Sequence, residues 1–309
     1  TDYRKATSKV SVLKGETKHS PTIIVKEANS TDGNNPFASE LATRQQLENI
    51  VQDLVAIPTA IDSFQYEDKF YYVMQREQGK TLTEMMKEGA VTEDIYDTIL
   101  KTIARMHVLA EFEGKNDFVD EHMVRTRAQR LGANSDLIDN HIKPIFEVMK
   151  NSKYDCLCTD RHPDNWLVTR EGKIVFLDTE DKGKVSQAAD LAYLLELIPD
   201  YATQREARIE QKLAKVNKYI DNVNGVCAQE GRPDRAIDQE SFIQEYHNAA
   251  LIRTVTGAEY LARIGRPQDS KALLESGADT ADYMINNKLV ENQKIVHYAA
   301  IRDFFRNAA

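Results

Sequence analysis

Three things are scarce in this 309-residue chain: cysteine, positive charge, and glycine near the N-terminus. The three cysteines, Cys156, Cys158 and Cys227, form a sparse and odd-numbered set that is no disulfide framework, which favours a reducing cytoplasm. Lys and Arg total 40 against 49 Asp and Glu, so the net charge is −9, opposite to that of a general nucleic-acid binder. No apolar run approaches the length of a membrane span, and no secretory signal is recognisable. We therefore expect neither nucleic acid nor membrane among its partners.

Cys156 and Cys158 are two residues apart, a spacing that allows two interpretations. They could be metal ligands, but no second cysteine pair completes a zinc site. Alternation of this kind is also typical of one face of a buried strand. We predict the buried strand.

Strand patterns dominate the first part of the chain, and helical patterns dominate the rest. β-Branched residues predict strands at 8–13 and 22–27, and 57–75 suggests two more strands that meet at Asp68. Leucine and isoleucine residues near helical spacing predict a helix at 37–54. A hairpin of 166–169 and 173–178 interrupts the helical part, whose predicted helices are 81–87, 92–112, 119–150, 187–197, 203–224, 239–264, 268–286 and 290–307. These patterns predict an α+β protein with a small β-rich lobe at 1–78 and a large, mostly helical lobe at 79–309.

Residues 156–181, CLCTDRHPDNWLVTREGKIVFLDTED, carry the most informative pattern. Asp160 is followed five residues later by Asn165, and a short strand pair then leads to Asp178. Phosphoryl transfer needs one carboxylate to orient a hydroxyl, and an amide and a second carboxylate to hold magnesium. The alternative is a loop whose Asp and Asn only make turn hydrogen bonds.

TDRHPDN at 159–165 resembles the catalytic loop H-G-D-x-H-P-x-N of the aminoglycoside phosphotransferase and choline kinase-like family. FLDTED at 176–181 is similar to the strand end that carries the second acidic residue of that family. The resemblance implies that Asp160 is the catalytic carboxylate and that His162 contacts the transferring phosphoryl group. It also implies that Asn165 and Asp178 are magnesium ligands, and that the fold is bilobal and protein-kinase-like.

The same resemblance assigns the nucleotide side of the site to the first lobe. Lys26 ends a strand in IIVKEA, as the phosphate-pairing lysine does in the kinase-like superfamily. Its ion-pair partner is expected on the following helix, where Glu40 is our first choice and Glu48 the alternative.

VMQREQGKTL at 73–82 resembles the family's linker between the lobes. The resemblance implies that Met74 lines the adenine pocket and that backbone groups from Gln75 to Glu77 contact the base. A methionine in such a run is also common in an ordinary core.

Two further segments resemble supporting elements of the family. AADLAYLL at 188–195 resembles its D-L-A helix start, which implies that Asp190 braces the catalytic loop without reacting. ARMH at 104–107 resembles its L-A-R-L-H segment, which implies a structural role for His107.

Two spacings favour a small acceptor over a protein substrate. Eleven residues separate Asp178 from Asp190, which leaves no room for the activation segment with which a protein kinase docks a peptide. His107 and Asp160 are 53 positions apart, and the intervening 108–154 is similar to the acceptor-pocket insertion of small-molecule kinases. The predicted function is therefore transfer of the γ-phosphate of ATP, with Mg²⁺, to a hydroxyl of an aminoglycoside, sugar or amino alcohol.

The catalytic loop departs from the family motif. Cys158 and Thr159 replace the usual His-Gly, and Arg161 and Asp164 are unusual. Gly15 is the only glycine in the first 32 residues, so either the first strand precedes Thr1 or the phosphates are covered differently. These departures leave two alternatives, a catalytically weak nucleotide-binding scaffold and a protein kinase.

Overall fold

The computed structural model describes residues 8–13, 22–29, 37–111, 119–159, 161–179, 183–196 and 205–309. Four antiparallel strands form the N-terminal sheet in the order β1-β2-β4-β3. They are β1 (Ser8–Leu13), β2 (Ile23–Asn29), β3 (Ala60–Tyr66) and β4 (Lys69–Gln75). The predicted strands are confirmed, and β3 turns into β4 at Glu67 and Asp68, where Glu67 has a φ of 52°.

Helix α1 (Ala38–Val51) joins the sheet to the rest of the molecule. A small core beneath the sheet consists of Ala28, Phe37, Phe70, Tyr72 and Met74. The second half of α1 packs into the main core, which also contains residues of α3 (Glu93–Leu109). The helix ends three residues before the predicted boundary, because the amides of Leu54 and Val55 both donate to the Val51 carbonyl and form a turn there.

The predicted hairpin is present and belongs to a three-stranded sheet. β7 (Trp166–Thr169) and β8 (Ile174–Phe176) pair with each other, and β5 (Gly79–Thr81) adds to β7. β6 (Asp155–Cys158) pairs with β9 (Gly183–Ser186) in a separate two-stranded sheet. Neither β5 nor β9 was predicted, because three or four residues carry too little alternation to distinguish a strand. Helix α2 (Leu82–Lys87) follows β5 directly, with a capping box between Thr81 and Glu84.

The single helical stretch predicted for 119–150 is wrong. The structure has α4 (Glu121–Arg130), a short α5 (Ser135–Leu137), a π-helical turn (Ile138–Ile142) and α6 (Lys143–Lys150). Gly132 ends the first helix with a φ of 94°, a conformation that favours glycine. Asn134 then caps the next helix by accepting a hydrogen bond from the Leu137 amide.

Five helices complete the large, mostly helical region, close to the predicted ranges. They are α7 (Gln187–Leu195), α8 (Arg205–Gln229), α9 (Gln239–Arg263), α10 (Pro267–Asn286) and α11 (Ile295–Ala308). In the described ranges, no helix combines the length and the apolar character needed to cross a membrane. The α+β class, with a β-rich N-terminal region and a mostly helical remainder, is confirmed; a boundary between residues 78 and 79 stays a prediction.

Candidate active site

A cavity of about 1000 Å³ lies between the N-terminal sheet and the β7–β8 hairpin. Ile24, Lys26 and Met74 line its sheet side, and Asn165, Leu177 and Asp178 line its hairpin side. The linker Gln75–Lys80 closes a third side. Several residues singled out in the sequence therefore face one space, although they are up to 152 positions apart.

Lys26 lies on β2 and forms an ion pair with Glu40 on α1. The Lys26 Nζ is 2.5 Å from the Glu40 Oε1, and the Glu40 residue is only 4% exposed. The alternative partner, Glu48, instead accepts a hydrogen bond of 3.0 Å from Arg44 on the same helix. Burial, followed by the nearby Glu40 charge, raises the pKa of Tyr72 to about 12, so this ring beside Lys26 stays neutral. The lysine is thus held at the cavity by a carboxylate shielded from water.

The linker after β4 offers backbone groups to the cavity. The amide of Gln75 donates to the Thr59 carbonyl and that of Arg76 to the Thr22 carbonyl, both at 2.9 Å. Because the amides of Gln75 and Arg76 already donate to other protein groups, they are not available to a ligand. Contacts from this segment to a ligand must come from its carbonyl groups or from residues that begin at Glu77. Met74, which is 5% exposed, belongs both to the small core and to the cavity wall.

Gly79 permits a close approach between this linker and the hairpin. A Cβ added to Gly79 would lie 2.3 Å from the Val168 carbonyl oxygen and 2.7 Å from a Leu167 methyl group. Only glycine fits at that distance from a neighbouring backbone. The position of the linker relative to the hairpin therefore depends on this residue.

Asn165 and Asp178 are brought together by the start of the hairpin. Asn165 ends a 3₁₀ turn (Pro163–Asn165), and its carbonyl accepts a 2.8 Å hydrogen bond from the Leu177 amide. Trp166 and Phe176, both fully buried, pair across the strands with ring centroids 4.8 Å apart. This packing makes the base of the hairpin rigid. An amide oxygen and a carboxylate that line the same cavity form a donor set that suits a hard divalent cation such as Mg²⁺.

Asp160 lies outside the described residues, but His162 is within them. The His162 Nδ1 accepts a hydrogen bond of 3.1 Å from the Asp164 amide, which leaves Nε2 to carry the proton of the neutral ring. Burial, assisted by the charge of Arg253, lowers the pKa of His162 to about 4, against the opposing effect of Asp164. His162 is therefore a neutral hydrogen-bond donor near pH 7.

Arg161 is the residue whose importance the sequence did not reveal. Its side chain is fully buried and bonds to the Asp190 carboxylate, and its Nη1 donates to the Leu157 carbonyl at 3.0 Å. Asp190 also lies 2.7 Å from the His107 Nε2. Burial opposes ionisation of Asp190, but Arg161 and His107 together outweigh it and lower the pKa of the carboxyl group. No pattern in the sequence distinguishes Arg161 from a solvated loop charge.

The buried cysteines have a structural role. Cys156 and Cys158 lie on β6 and are 0% and 1% exposed, as predicted for a buried strand. Cys156 is close to His107 and Asp190, with potential ligand atoms within 4.8 Å of one another. The Arg161 guanidinium bonds to two of these groups and so occupies the place of a cation. Burial also raises the pKa of the Cys156 thiol well above its usual value, which disfavours a thiolate ligand.

Three acidic residues, Asp181, Glu196 and Asp200, are further candidates for contact with a cationic acceptor. Glu196 is 1% exposed and binds the Lys212 ammonium at 2.5 Å and the Tyr246 hydroxyl at 2.6 Å. It is thus an internal structural group with its charge neutralised. The other two, Asp181 and Asp200, lie outside the described residues.

Comparison with known proteins identifies the class. Residues 9–224 match the sequence profile of the phosphotransferase enzyme family, and the chain belongs to that family. No curated protein matches the sequence. Membership of this family indicates phosphotransferase chemistry.

Two solved structures share the protein-kinase-like fold. Amicoumacin kinase hAmiN, solved with AMP-PNP, Ca²⁺ and Ami, is 12% identical with a TM-score of 0.55, over 99% of this chain and 87% of its own. Spectinomycin phosphotransferase APH(9)-Ia, solved with ADP and spectinomycin, is 12% identical with a TM-score of 0.52. The match covers 96% of this chain and 93% of the spectinomycin phosphotransferase. The bilobal, kinase-like fold that the resemblance implied is confirmed.

Proposed function

We propose that this protein transfers the γ-phosphate of ATP to a hydroxyl of an aminoglycoside, sugar or amino alcohol. The observation that carries the proposal is the cavity of about 1000 Å³ with Lys26 on one side and Asn165 and Asp178 on the other. The volume suits a nucleotide, and the charges suit its phosphates and their metal ion. The nucleotides AMP-PNP and ADP in the two related structures support ATP as the donor.

The nucleotide is assigned to the inner part of the cavity. Met74 contacts the adenine ring, and backbone groups between Gln75 and Glu77 bind its edge. Lys26, whose ammonium is held by Glu40, neutralises phosphate oxygens. This ion pair keeps the ammonium in one orientation before the substrate arrives, so little reorganisation accompanies binding.

Asn165 and Asp178 are the residues assigned to a Mg²⁺ ion. Their oxygen donors fit such an ion, and both line the cavity. When bound, the ion supplies neutralisation of negative charge on the phosphates. The hairpin packing that orients Asp178 is independent of the metal, because it consists of buried aromatic contacts and backbone hydrogen bonds.

Asp160 and His162 are assigned to the acceptor side. Asp160 accepts a hydrogen bond from the acceptor hydroxyl and aligns it with the γ-phosphorus. His162, neutral with its proton on Nε2, donates to an oxygen of the transferring phosphoryl group. Positioning and charge neutralisation provide most of the rate acceleration. A cytoplasmic location is part of the same proposal.

The test is phosphate transfer from labelled ATP to a panel of aminoglycosides, sugars and amino alcohols, with a peptide mixture as the protein-kinase comparison. We expect Asp160→Ala to lower turnover by about a hundredfold to ten-thousandfold while the melting temperature is unchanged. The matched control is Asp94→Asn, which removes an exposed carboxylate from the first turn of α3. Near-normal turnover by Asp160→Ala refutes the assignment. Nucleotide binding without transfer to any acceptor identifies the scaffold alternative, which the altered residues Cys158 and Thr159 keep open.

A further inference from the structure

Arg161 immediately follows the proposed catalytic residue and directs its charge into the protein interior. The Arg161 and Asp190 side chains are 0% and 1% exposed and form a salt bridge. We propose that Arg161 is a positioning residue that fixes the geometry of the catalytic loop by binding Asp190. This inference rests on the proposed phosphotransferase function and extends it to a residue that the family motif leaves variable.

The residues before and after the proposed catalytic position are both buried. Thr159 is fully buried before it, and Arg161 is fully buried after it. The Arg161 carbonyl also accepts a hydrogen bond of 3.4 Å from the indole nitrogen of Trp166. Arg161 is thereby tied both to Asp190 and to the first residue of the β7–β8 hairpin.

Asp190 is a rigid attachment point because other elements hold it. Its Oδ2 lies 2.7 Å from the His107 Nε2 on α3. The other ring nitrogen of His107 lies 2.6 Å from the Tyr219 hydroxyl on α8, which in turn donates to Gln187 at 2.8 Å. Arg161 therefore connects the loop to a network that spans α3, α7 and α8.

Arg161 makes the strong contact from the loop to Asp190. Cys158 stands where the family motif has His, and its Sγ lies 3.9 Å from the Asp190 Oδ1. A thiol is a weak donor, whereas a guanidinium–carboxylate contact is charge-assisted. Apolar side chains of similar volume stabilise an interior at least as well as a buried ion pair does. The ion pair differs because it favours one relative position of its two charged partners. These contacts point to a role in geometry.

The experiment compares Arg161→Met and Arg161→Lys with a control ion pair elsewhere in the helical region. Lys212→Met is that control, because Lys212 pairs with the buried Glu196 at 2.5 Å. We expect Arg161→Met to lower kcat about a hundredfold with the KM for ATP changed less than about threefold, since misplaced reacting groups cost rates of this order. Arg161→Lys should recover part of kcat. Lys212→Met should lower the melting temperature with kcat unchanged below the unfolding transition.

A double-mutant cycle tests whether Arg161 acts through Asp190. If it does, Arg161→Met combined with Asp190→Asn lowers kcat no further than the more damaging single change. The proposal is overturned if the kcat losses of the two single variants multiply in the double variant. It is also overturned if Arg161→Met loses no more kcat than Lys212→Met does when the two are compared at matched melting temperature.

A second measurement does not depend on turnover. Hydrogen exchange of the amides in 158–165 should be faster in Arg161→Met than in wild type, and unchanged in Lys212→Met. Equal exchange in both variants overturns the role of Arg161. Failure of the proposed function would be recognised separately, because the wild-type protein would then transfer no phosphate to any acceptor. The comparison of amide hydrogen exchange between wild type and the variants would still report on the loop.

Discussion

The amide of Leu177 donates a 2.8 Å hydrogen bond to the carbonyl of Asn165. This bond closes the base of the β7–β8 hairpin and sets Asp178 beside Asn165 at the cavity wall. Two oxygen-bearing residues that are separated in sequence by a strand, a turn and a second strand thus line the same cavity. The contact lies entirely in the protein backbone, so it persists when either side chain is replaced.

Asp178 should therefore be replaceable without loss of the fold. We expect Asp178→Asn to weaken ATP binding by about tenfold or more in the presence of Mg²⁺, equivalent to at least about 1.4 kcal/mol. The reason is loss of the negative charge that holds the cation. Calorimetric titration with and without Mg²⁺ measures the effect, and Asp160→Ala should weaken binding less. Glu171→Gln, at the exposed hairpin turn, is the control. Equal affinity of Asp178→Asn and wild type for Mg²⁺–ATP contradicts the assignment.

Lys26 on β2 and Lys69 on the neighbouring strand β4 provide a matched pair of tests. Lys26→Met should lower kcat/KM for ATP about a hundredfold to a thousandfold, because a fixed cation at the phosphates is lost. Glu27 points to the opposite face of the sheet, where it binds Lys69 at 2.7 Å. Lys69→Met also removes one ion pair from the sheet but should leave kcat/KM unchanged. Steady-state kinetics decides, and similar losses in both variants count against a phosphate-binding role for Lys26.

Gly79 should tolerate no side chain. Gly79→Ala introduces a methyl group 2.3 Å from a backbone oxygen of β7, so the linker must move away from the hairpin. We expect a loss of about 1–3 kcal/mol in the free energy of unfolding, together with weaker ATP binding. Gly225→Ala is the control, since nothing lies within 4 Å of its added Cβ on α8, and it should stabilise by up to about 1 kcal/mol. Denaturant titration measures both, and equal stabilities contradict the expectation.

His247 should make the fold sensitive to acid. It is 3% exposed, neither ring nitrogen has a hydrogen-bond partner among the residues that the structure describes, and burial lowers its pKa to about 4. The unfolded state, with the ordinary value near 6.5, therefore binds more protons between those two pH values. Stability from the neutral ring is present above about pH 6.5 and is lost as pH falls toward 4.

Replacement of His247 by an apolar ring tests this assignment. In His247→Phe, the slope of the free energy of unfolding against pH should fall by up to about 1.4 kcal/mol per pH unit in that window. Stability near pH 7 should be preserved or increased, because no hydrogen bond is lost. Denaturant titrations at several pH values provide the measurement. An unchanged slope would show that another group causes the acid sensitivity.

Most of the fold was predictable, and the failures have physical causes. Strands β2 and β4 and the hairpin were recognisable from β-branched and aromatic residues, whereas β5 and β9 were too short. The helix expected over 119–150 is interrupted because Gly132 adopts a positive φ, which periodicity does not report. Glu40 and Glu48 were both acceptable partners for Lys26 on a helical pattern. Only the packing of α1 on the sheet distinguishes them, by turning Glu40 inward and leaving Glu48 to Arg44.

The sequence by itself determined the family, the fold class and the order of the candidate groups, because those depend on local spacing along the chain. Tertiary structure decided which charges are buried and with what they pair. Arg161 is indistinguishable from a solvated loop residue until α7 and α3 bring Asp190 and His107 against it. The same holds for Glu196, which is neutralised by Lys212 from α8. Burial and pairing depend on contacts between elements that are distant in the chain. A linear pattern carries no information about which of these elements meet in space.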